Sequence, residues 1–240
     1  MTKPADRAAE RIEPEAQGFE RVLVIGAHPD DAEFYAGATL TRLARAGAHV
    51  SLLVMTDGQR GGKVAGNLAP VRAGEQVEAA ATIGIREHKS LGRADGELVR
   101  EMELLAELVL AIRTFRPDLV LTHDARTRFT VVEGIAQPGH SDHRATGEMV
   151  LDAVAPRAPL PSFFPEQLEQ PGVELWYPRE VWLFDTTEPD VAVDVAPALA
   201  EKQASLRAHA SQNEKDGLVR WSEKHGDETF ARLVLYRRRG

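Results

Sequence analysis

The sequence predicts an α/β fold, a Rossmann-like, mainly parallel sheet with helices on both faces. Strand-like and helix-like segments alternate along the chain. The first strand-like segment, RVLVIG at 21–26, is almost continuously apolar, which is typical of a strand covered on both faces. Polar clusters follow several of these strands directly. In such sheets the ligand crevice lies beyond the carboxyl ends of the strands, so these clusters are expected to converge.

Hydrophobic periodicity and breaker residues define the elements in order. The predicted strands are 21–26, 49–55, 87–91, 119–121, 181–184, 191–195 and 230–236. The predicted helices are 33–46, 71–83, 98–115, 139–154, 197–209 and 218–224. Gly47 ends the first helix, and Pro117 breaks the strongly periodic third one. Pro197 stands in the first turn of the late helix, where proline is tolerated.

Three segments show no regular pattern. The glycine-rich stretch 59–67 reads as a flexible loop, and 126–138 as a surface loop. The stretch 156–178 contains six prolines and predicts an irregular flap or partner surface. Trp176, Tyr177 and Trp182 form either a sugar-stacking platform or part of the core or a subunit interface.

Length and composition limit the class of protein. The 240 residues suit one α/β domain, assigned to 19–240, and the polar segment 1–18 is predicted to be a mobile tail. The formal net charge of −8 argues against a nucleic-acid partner. Without cysteine, disulfides and thiolate metal sites are excluded. With no membrane-length apolar run and no signal-peptide core, we expect a cytoplasmic protein that is not bound to a membrane. Whether it assembles into a homo-oligomer is left open.

Two polar clusters have the chemistry of a metal site. His28 and Asp31 lie on one turn after the first strand, and His140 and His143 share a face at a helix start. A catalytic zinc takes three protein ligands, often histidine and carboxylate, and keeps one position for water. Asp30 stands beside these ligands, where a carboxylate can accept the proton of the attacking water.

Each piece also has a purely structural interpretation. Taken alone, the aspartate pair is equally well explained as a cap of the next helix, and an isolated H-x-x-H is weak evidence for a metal. His123 is either a solvated loop histidine or a buried, hydrogen-bonded one. His209 and Gln212 either reach the site or only hold the late helix in place. The two clusters together favour a metal hydrolase, because both fall at the predicted ligand edge.

These residues carry a resemblance to a known family. AHPDD at 27–31 with Glu33 resembles the AHPDDxE motif of the LmbE-like (PIG-L) zinc-dependent N-acetylglucosaminyl deacetylases. GHSDHRA at 139–145 resembles the family's GHPDHRA, with serine in place of proline. Further similarities extend along nearly the whole chain: TDG at 56–58, R-x-x-E at 72–75, LG-x-x-DG at 91–96, RPD at 116–118 and H-x-S-Q at 209–212.

The resemblance implies hydrolysis of an N-acetyl group, or a related amide, from an N-acetylglucosamine-type small molecule. By position, His28, Asp31 and His143 would bind one Zn²⁺ per chain, or another divalent metal such as Fe²⁺. Asp30 would be the general base. His140 would steady the oxyanion and help to protonate the leaving amine, with Asp142 orienting it. A second set, Arg72 and Asp95, matches positions that contact the sugar in relatives.

Three other functions share part of this sequence pattern. Two histidines and one carboxylate also form the site of non-haem iron oxygenases, although the extra aspartate suits water activation. A dinucleotide-binding module would need G-x-G-x-x-G, which the turn at 26–29 lacks. A non-catalytic sugar-binding relative would not need Asp30 or His140. The specific acetylated substrate stays open.

Overall fold

The computed structural model describes residues 8–62, 66–132 and 135–235. Its strands are β1 (Glu10–Arg11), β2 (Arg21–Gly26), β3 (His49–Thr56), β4 (Glu87–Arg93), β5 (Leu119–His123), β6 (Phe129–Val132), β7 (Ile135–Pro138), β8 (Glu180–Phe184), β9 (Val191–Val193) and β10 (Glu228–Val234). Its α-helices are α1 (Asp31–Arg45), α2 (Ala69–Thr82), α3 (Met102–Phe115), α4 (Ser141–Asp152), α5 (Leu199–Ala208) and α6 (Gly217–His225). Among the described residues, no helix combines the length and the apolar character that a membrane crossing needs.

The central sheet confirms the predicted α/β class. Eight strands lie in the order β1-β9-β10-β8-β5-β2-β3-β4. All the pairings are parallel except those of β10, which runs antiparallel to both β8 and β9. The chain builds outward from β2 to β4 on one side and then returns to place β5 on the other side of β2. The crevice beyond β2 and β5 is therefore the expected ligand position.

The two faces of the sheet carry separate hydrophobic cores. Successive side chains of a strand point to opposite faces, so Val22 and Val24 pack against Leu40 of α1 in one core. Leu23 and Ile25 pack in the other core with the apolar side chains of α3 and α4. This double burial explains the continuous apolar run of β2 in the sequence.

The described part of the predicted tail packs against the sheet instead of hanging free. Glu10 donates its backbone N–H to Asp190 O (2.9 Å), and Ile12 donates to Ala192 O (3.0 Å), so β1 extends the sheet as an edge strand. Ile12 is buried in the first core. The segment is too short and polar to read as a strand, and its order comes from pairing with distant β9. Residues 1–7 of the predicted tail lie outside the described residues.

The predicted surface loop 126–138 contains a hairpin instead. β6 and β7 pair antiparallel, with Phe129 opposite Pro138. Phe129 is 61% exposed and all four residues of β7 are exposed, so β7 buries no face against the core. Without a buried face it lacks the alternation that identifies a strand in sequence.

Two other boundaries differ from the sequence prediction. α3 begins at Met102 and not at Leu98, because Leu98 is buried in an extended stretch whose N–H points at Asp142 Oδ1 (3.3 Å). The last strand ends at Val234, and Tyr236, predicted to belong to it, lies outside the described residues. Part of the predicted loop 59–67, residues 63–65, also lies outside them.

The buried side chain of Arg113 makes most of the hydrogen bonds that hold the proline-rich stretch 156–178 to α3, and Gln167 adds one to Ala106 O (2.8 Å). The Arg113 guanidinium donates to Gln167 Oε1 (3.2 Å) and to a ring of backbone carbonyl oxygens, those of Arg157, Ala158, Leu160, Phe163 and Phe164. Trp176 donates its indole N–H to Pro117 O (2.7 Å), and Trp182 is fully buried in the first core. These tryptophans are therefore structural, as the core interpretation held.

Replacing Arg113 is expected to be costly. Arg113→Met removes the donors and leaves buried carbonyl groups without partners, so we expect the free energy of unfolding to fall by about 3 kcal/mol. Arg100→Met is the matched control, since Arg100 is half exposed and pairs only with Asp152 in the described structure. Such a surface pair contributes about 0–1 kcal/mol. Urea denaturation measures both, and equal small changes would contradict the role of Arg113.

Candidate metal-hydrolase site

The turn between β2 and α1 presents the first polar cluster. Gly26 ends β2, and a Cβ at this position would lie 3.0 Å from the Cβ of Asp31, so only glycine leaves room for that side chain. Asp30 has φ 110°, a backbone conformation that aspartate and asparagine tolerate better than most residues. The helix then begins at Asp31, so consecutive aspartates point in different directions.

Asp31 is at the centre of the cluster and is 4% exposed. Its Oδ2 accepts the backbone N–H of His28 (2.8 Å) and lies 2.9 Å from His123 Nε2. Its Oδ1 lies 3.4 Å from His143 Nε2. The His28 ring Nδ1 is 3.7 Å from Oδ2 of the same carboxylate. The three predicted ligands, His28, Asp31 and His143, are therefore brought together.

The other ring nitrogen of His28 faces two more buried carboxylates. His28 Nε2 lies 3.2 Å from Asp95 Oδ1 and 3.3 Å from Asp142 Oδ2. Asp142 also accepts the backbone N–H of Gly96 (2.7 Å). The sequence prediction had Asp142 orienting His140, and the structure differs. The Asp142 side chain contacts His28, and only its backbone N–H reaches His140, donating to Nδ1 (3.2 Å).

Helix α4 brings the second histidine pair to the cluster. His140 is the N-cap of α4 and is exposed, with its ring centroid 4.5 Å from that of His28. His143 is partly buried, and its Nδ1 lies 3.3 Å from Asp185 Oδ2. Gly147 lets α4 approach β5 closely, since a Cβ there would lie 2.4 Å from His123 O. A histidine metal ligand commonly points its second nitrogen at a carboxylate, as His143 does here.

Asp30 is held apart from the buried cluster. Its Oδ2 accepts from Arg72 Nη2 (3.0 Å), and its N–H points at Gln76 Oε1 (3.3 Å). Arg72 also donates to the carbonyl oxygens of Pro29 and Gly58. The predicted substrate contact Arg72 thus also supports the turn that carries Asp30.

Burial and charge set the two aspartates apart. Burial raises the pKa of Asp30 to about 6, with Asp31 adding to the rise and Arg72 opposing it. Burial alone would also raise the pKa of Asp31, but His143 and His123 hold it well below its usual range. Asp31 is thus a permanent anion, whereas Asp30 is a carboxylate that exchanges a proton near neutral pH.

The histidines divide in the same way. Burial would lower the pKa of His28, but Asp142, Asp95 and Asp31 raise it to about 10. Burial would likewise lower the pKa of His143, but Asp31 and Asp185 raise it to about 9. Burial and the charge of His143 lower the pKa of His123 to about 4. The neighbouring carboxylates therefore stabilise the protonated, positively charged forms of His28 and His143.

The donor set fits a metal ion. Among the described residues, three overlapping groups have ligand atoms within 4.8 Å of one another: His28, His140 and His143; Asp31, His123 and His143; and His28, Asp95 and Asp142. No one group contains all three predicted ligands. The buried carboxylates face His28 and His143, whose pKa values are raised. A divalent cation that binds in such an environment replaces the protons on the histidines.

A cavity of about 480 Å³, called here the first cavity, opens onto this cluster. It is lined by His28, Asp30, Asp31, Phe34, Tyr35, Arg60, Gly61, Arg72, Asp95, Gly96, His140, His143, Gln212 and Leu218. Most predicted site residues face it, and Gln212 reaches it from the segment after α5. The companion residue His209 does not; it is fully buried, 3.4 Å from Glu33.

Sequence reasoning missed two residues of the site and left a third unresolved. Asp185 directly follows β8, so the strand-end rule that selected His28 would also have found it. Gln76, in the middle of α2, carried no signal. His123 was left open, and the structure places it fully buried against Asp31.

Comparison with known proteins identifies a family model and similar sequences. The model of the family described as PIG-L, GlcNAc-PI de-N-acetylase, matches residues 23–154. Diacetylchitobiose deacetylase of Thermococcus kodakarensis is 32% identical over 206 residues, covering 84% of this chain and 73% of that protein. The 1D-myo-inositol 2-acetamido-2-deoxy-alpha-D-glucopyranoside deacetylase of Streptomyces avermitilis is 28% identical, covering 82% and 84%.

A solved structure has a similar fold. N,N'-diacetylchitobiose deacetylase from Pyrococcus horikoshii, in complex with its inhibitor MPG, superposes with a TM-score of 0.79 at 26% identity. The match covers 92% of this chain and 86% of that one.

Proposed function

The chain belongs to the PIG-L family, and from that premise we propose that it is a metal-dependent hydrolase of N-acetylated amino sugars. It removes the acetyl group from an N-acetylglucosamine-type small molecule and releases acetate and a free amine. The observation that carries this proposal is the difference in environment between the adjacent carboxylates of Asp30 and Asp31. Asp31 is a buried anion between two imidazoles, while Asp30 faces the cavity with its pKa raised to about 6.

His28, Asp31 and His143 are proposed to hold the metal, with Zn²⁺ as the expected ion and Fe²⁺ as the alternative. A divalent cation at this position would polarise the substrate carbonyl and favour deprotonation of a water molecule. His123 and Asp185 orient Asp31 and His143, each through a contact of about 3 Å in the structure. Metal analysis of the purified protein identifies the ion.

Asp30 is proposed to be the general base. Its carboxylate takes a proton from the attacking water, and a pKa near 6 suits this task at neutral pH. His140 also lines the first cavity, and its N–H is proposed to support the oxyanion and to supply a proton to the leaving amine. Because Asp142 Oδ2 contacts His28, we assign Asp142 the role of orienting the metal ligand, not the acid.

Arg72 and Asp95 are proposed to contact the sugar. Both line the first cavity and are almost fully buried, at 3% and 5% exposed. Asp95 accepts from the backbone N–H of Arg60 (3.2 Å), which places a second guanidinium at the rim. Buried carboxylate and guanidinium groups at the wall of a cavity suit recognition of hydroxyl groups.

An acetate-release screen tests the proposed function. The zinc-loaded protein is incubated with N-acetylglucosamine, N,N'-diacetylchitobiose and N-acetylglucosamine linked to inositol, and acetate is quantified. We expect release from at least one compound and none from metal-stripped protein. Absence of acetate from every compound, with zinc bound at one ion per chain, would overturn the proposal.

Metal binding is expected to release protons. With pKa values of about 10 and 9, His28 and His143 are protonated at pH 7.5 in the metal-free protein, and both must lose a proton to ligate. We expect about two protons per zinc, and an apparent affinity that rises about 100-fold per pH unit up to about pH 9. Calorimetry in buffers of different ionisation enthalpy measures the protons.

Proton release and the pH dependence of zinc affinity distinguish His28 and His143 from histidines with an ordinary pKa. A histidine with the usual pKa of about 6.5 is already neutral at pH 7.5 and would release almost no proton. An affinity that stays flat between pH 7.5 and 9 would therefore contradict the raised pKa values.

A further inference from the structure

A second cavity, of about 610 Å³, adjoins the first on the other side of the histidine cluster. The residues common to the walls of both are Phe34, Tyr35, His140 and His143. The candidate metal ligand His143 and the proposed oxyanion donor His140 therefore lie at the junction. A substrate whose carbonyl sits at this junction has room on both sides of its amide bond.

The polar side chains of the second cavity are largely engaged with protein partners. Lys202 Nζ lies 2.5 Å from Glu228 Oε1, and Thr186 Oγ1 donates to Asp124 Oδ2 (2.7 Å). Two further pairs are Ser222 with Val219 O (2.7 Å) and Asp185 with His143 (3.3 Å). These four contacts hold Lys202, Thr186, Ser222 and Asp185 in place along the wall of the second cavity.

Aromatic rings form the apolar part of this wall. Phe34 and Trp221 are stacked, with centroids 4.2 Å apart and planes 25° apart. Tyr35 stacks on Phe184 with centroids 5.1 Å apart. Rings held in this way present a fixed apolar surface. The residues that suit hydroxyl recognition, Arg72 and Asp95, line only the first cavity.

We infer that the second cavity is an acyl subsite, and that the protein prefers N-acyl amino sugars whose acyl group is apolar and larger than acetyl. The inference rests on the proposed function and extends it. The sugar occupies the first cavity, the carbonyl lies at the junction, and the acyl chain lies along Phe34 and Trp221. An acetyl methyl group, about the size of one water molecule or roughly 30 Å³, would leave nearly all of the second cavity to solvent.

The reaction is the same hydrolysis for any acyl length. The oxygen of water bonds to the carbonyl carbon, the carbon–nitrogen bond breaks, and both protons of the water pass to the nitrogen. The products are a carboxylate and the protonated amino sugar, so no further reactant is required. Each added methylene that becomes buried favours binding by about fourfold.

The test compares N-acetyl-, N-butyryl- and N-hexanoylglucosamine with the zinc-loaded protein, with free amine as the readout. We expect kcat/KM to be at least about tenfold higher for the hexanoyl than for the acetyl compound. Thr187→Phe narrows the second cavity from an exposed position, and should lower the hexanoyl-to-acetyl ratio about tenfold. Thr114→Phe, at an exposed site on α3, is the matched control and should leave the ratio unchanged.

Two results would overturn the inference. One is a ratio near one or below that Thr187→Phe does not change. The other is a preference for N,N'-diacetylchitobiose over N-acetylglucosamine that Thr187→Phe selectively removes, which would assign the cavity to a second sugar.

Failure of the proposed function is detected separately. If no amide is hydrolysed, equilibrium dialysis of hexanoate and acetate still reports on the cavity. Stronger retention of hexanoate that Thr187→Phe abolishes supports the acyl subsite, and equal weak retention of both acids counts against it.

Discussion

Asp30→Asn is expected to lower kcat by about 10²–10⁴-fold, the usual contribution of a positioned general base, and to leave the metal content unchanged. Asparagine keeps a hydrogen-bond acceptor for Arg72, which lies 3.0 Å from Asp30 Oδ2. It also tolerates the φ of 110° at this position, where alanine would add strain. The loss would therefore report on the missing base and not on a distorted turn.

Asp57→Asn is the control for this experiment. Asp57 also follows a strand of the sheet, but its carboxylate accepts the backbone N–H of Gln59 (3.0 Å) and does not line the first cavity. Deacetylation is measured beside zinc content by elemental analysis. Near-normal turnover in Asp30→Asn would remove Asp30 from the role of base.

The wild-type pH profile tests the same assignment. The base must be deprotonated, and burial raises the pKa of Asp30 to about 6. We therefore expect activity to be present above pH 6 and to be lost as the pH falls through that value. An unperturbed aspartate would keep its charge down to about pH 4.

Asp31→Asn is expected to have the second large effect, a loss of metal affinity of more than about 100-fold. Asp31 is the anion that contacts both His123 (2.9 Å) and His143 (3.4 Å), and its replacement removes a ligand together with its charge. Asp185→Asn changes a partner of His143 that also contacts the Tyr35 hydroxyl, and leaves the three proposed ligands in place. Removing a residue that contacts a metal ligand, and not the metal itself, typically lowers metal affinity by about 10–100-fold. Asp57→Asn should have no effect.

Zinc titration against a competing chelator measures the three variants. The order of affinity loss, Asp31 above Asp185 and Asp185 above Asp57, is the expected result. Equal affinity in Asp31→Asn and wild type would show that the metal is held by another of the overlapping groups, such as His28, His140 and His143.

There is a simple reason why His28, Asp31 and His143 lie close together in the structure. Their identity is local to two short motifs, and each motif follows a strand end or opens a helix. A parallel sheet gathers strand ends at one edge. The same rule applied to β8 leads to Asp185, so that omission was one of application and not of missing information.

The side-chain contacts of Asp142 and His123 could not be predicted from the sequence, because they join distant segments. Asp142 contacts His28 across 114 positions, and its direction depends on the stretch at 96–98 that donates to it. His123 reaches Asp31 across 92 positions. The strands β7 and β1 were missed because their residues are exposed and bury no periodic face.

For this protein, the sequence alone determined the alternation of strands and helices and the chemical groups at each strand end, because both are properties of a few consecutive residues. The sequence itself makes Asp30 and Asp31 adjacent carboxylates in the turn after β2. Only the tertiary structure decided that one is a buried anion between imidazoles and the other a carboxylate with a pKa of about 6. Burial and partner charges set those properties, and both come from segments that meet only when the sheet is assembled.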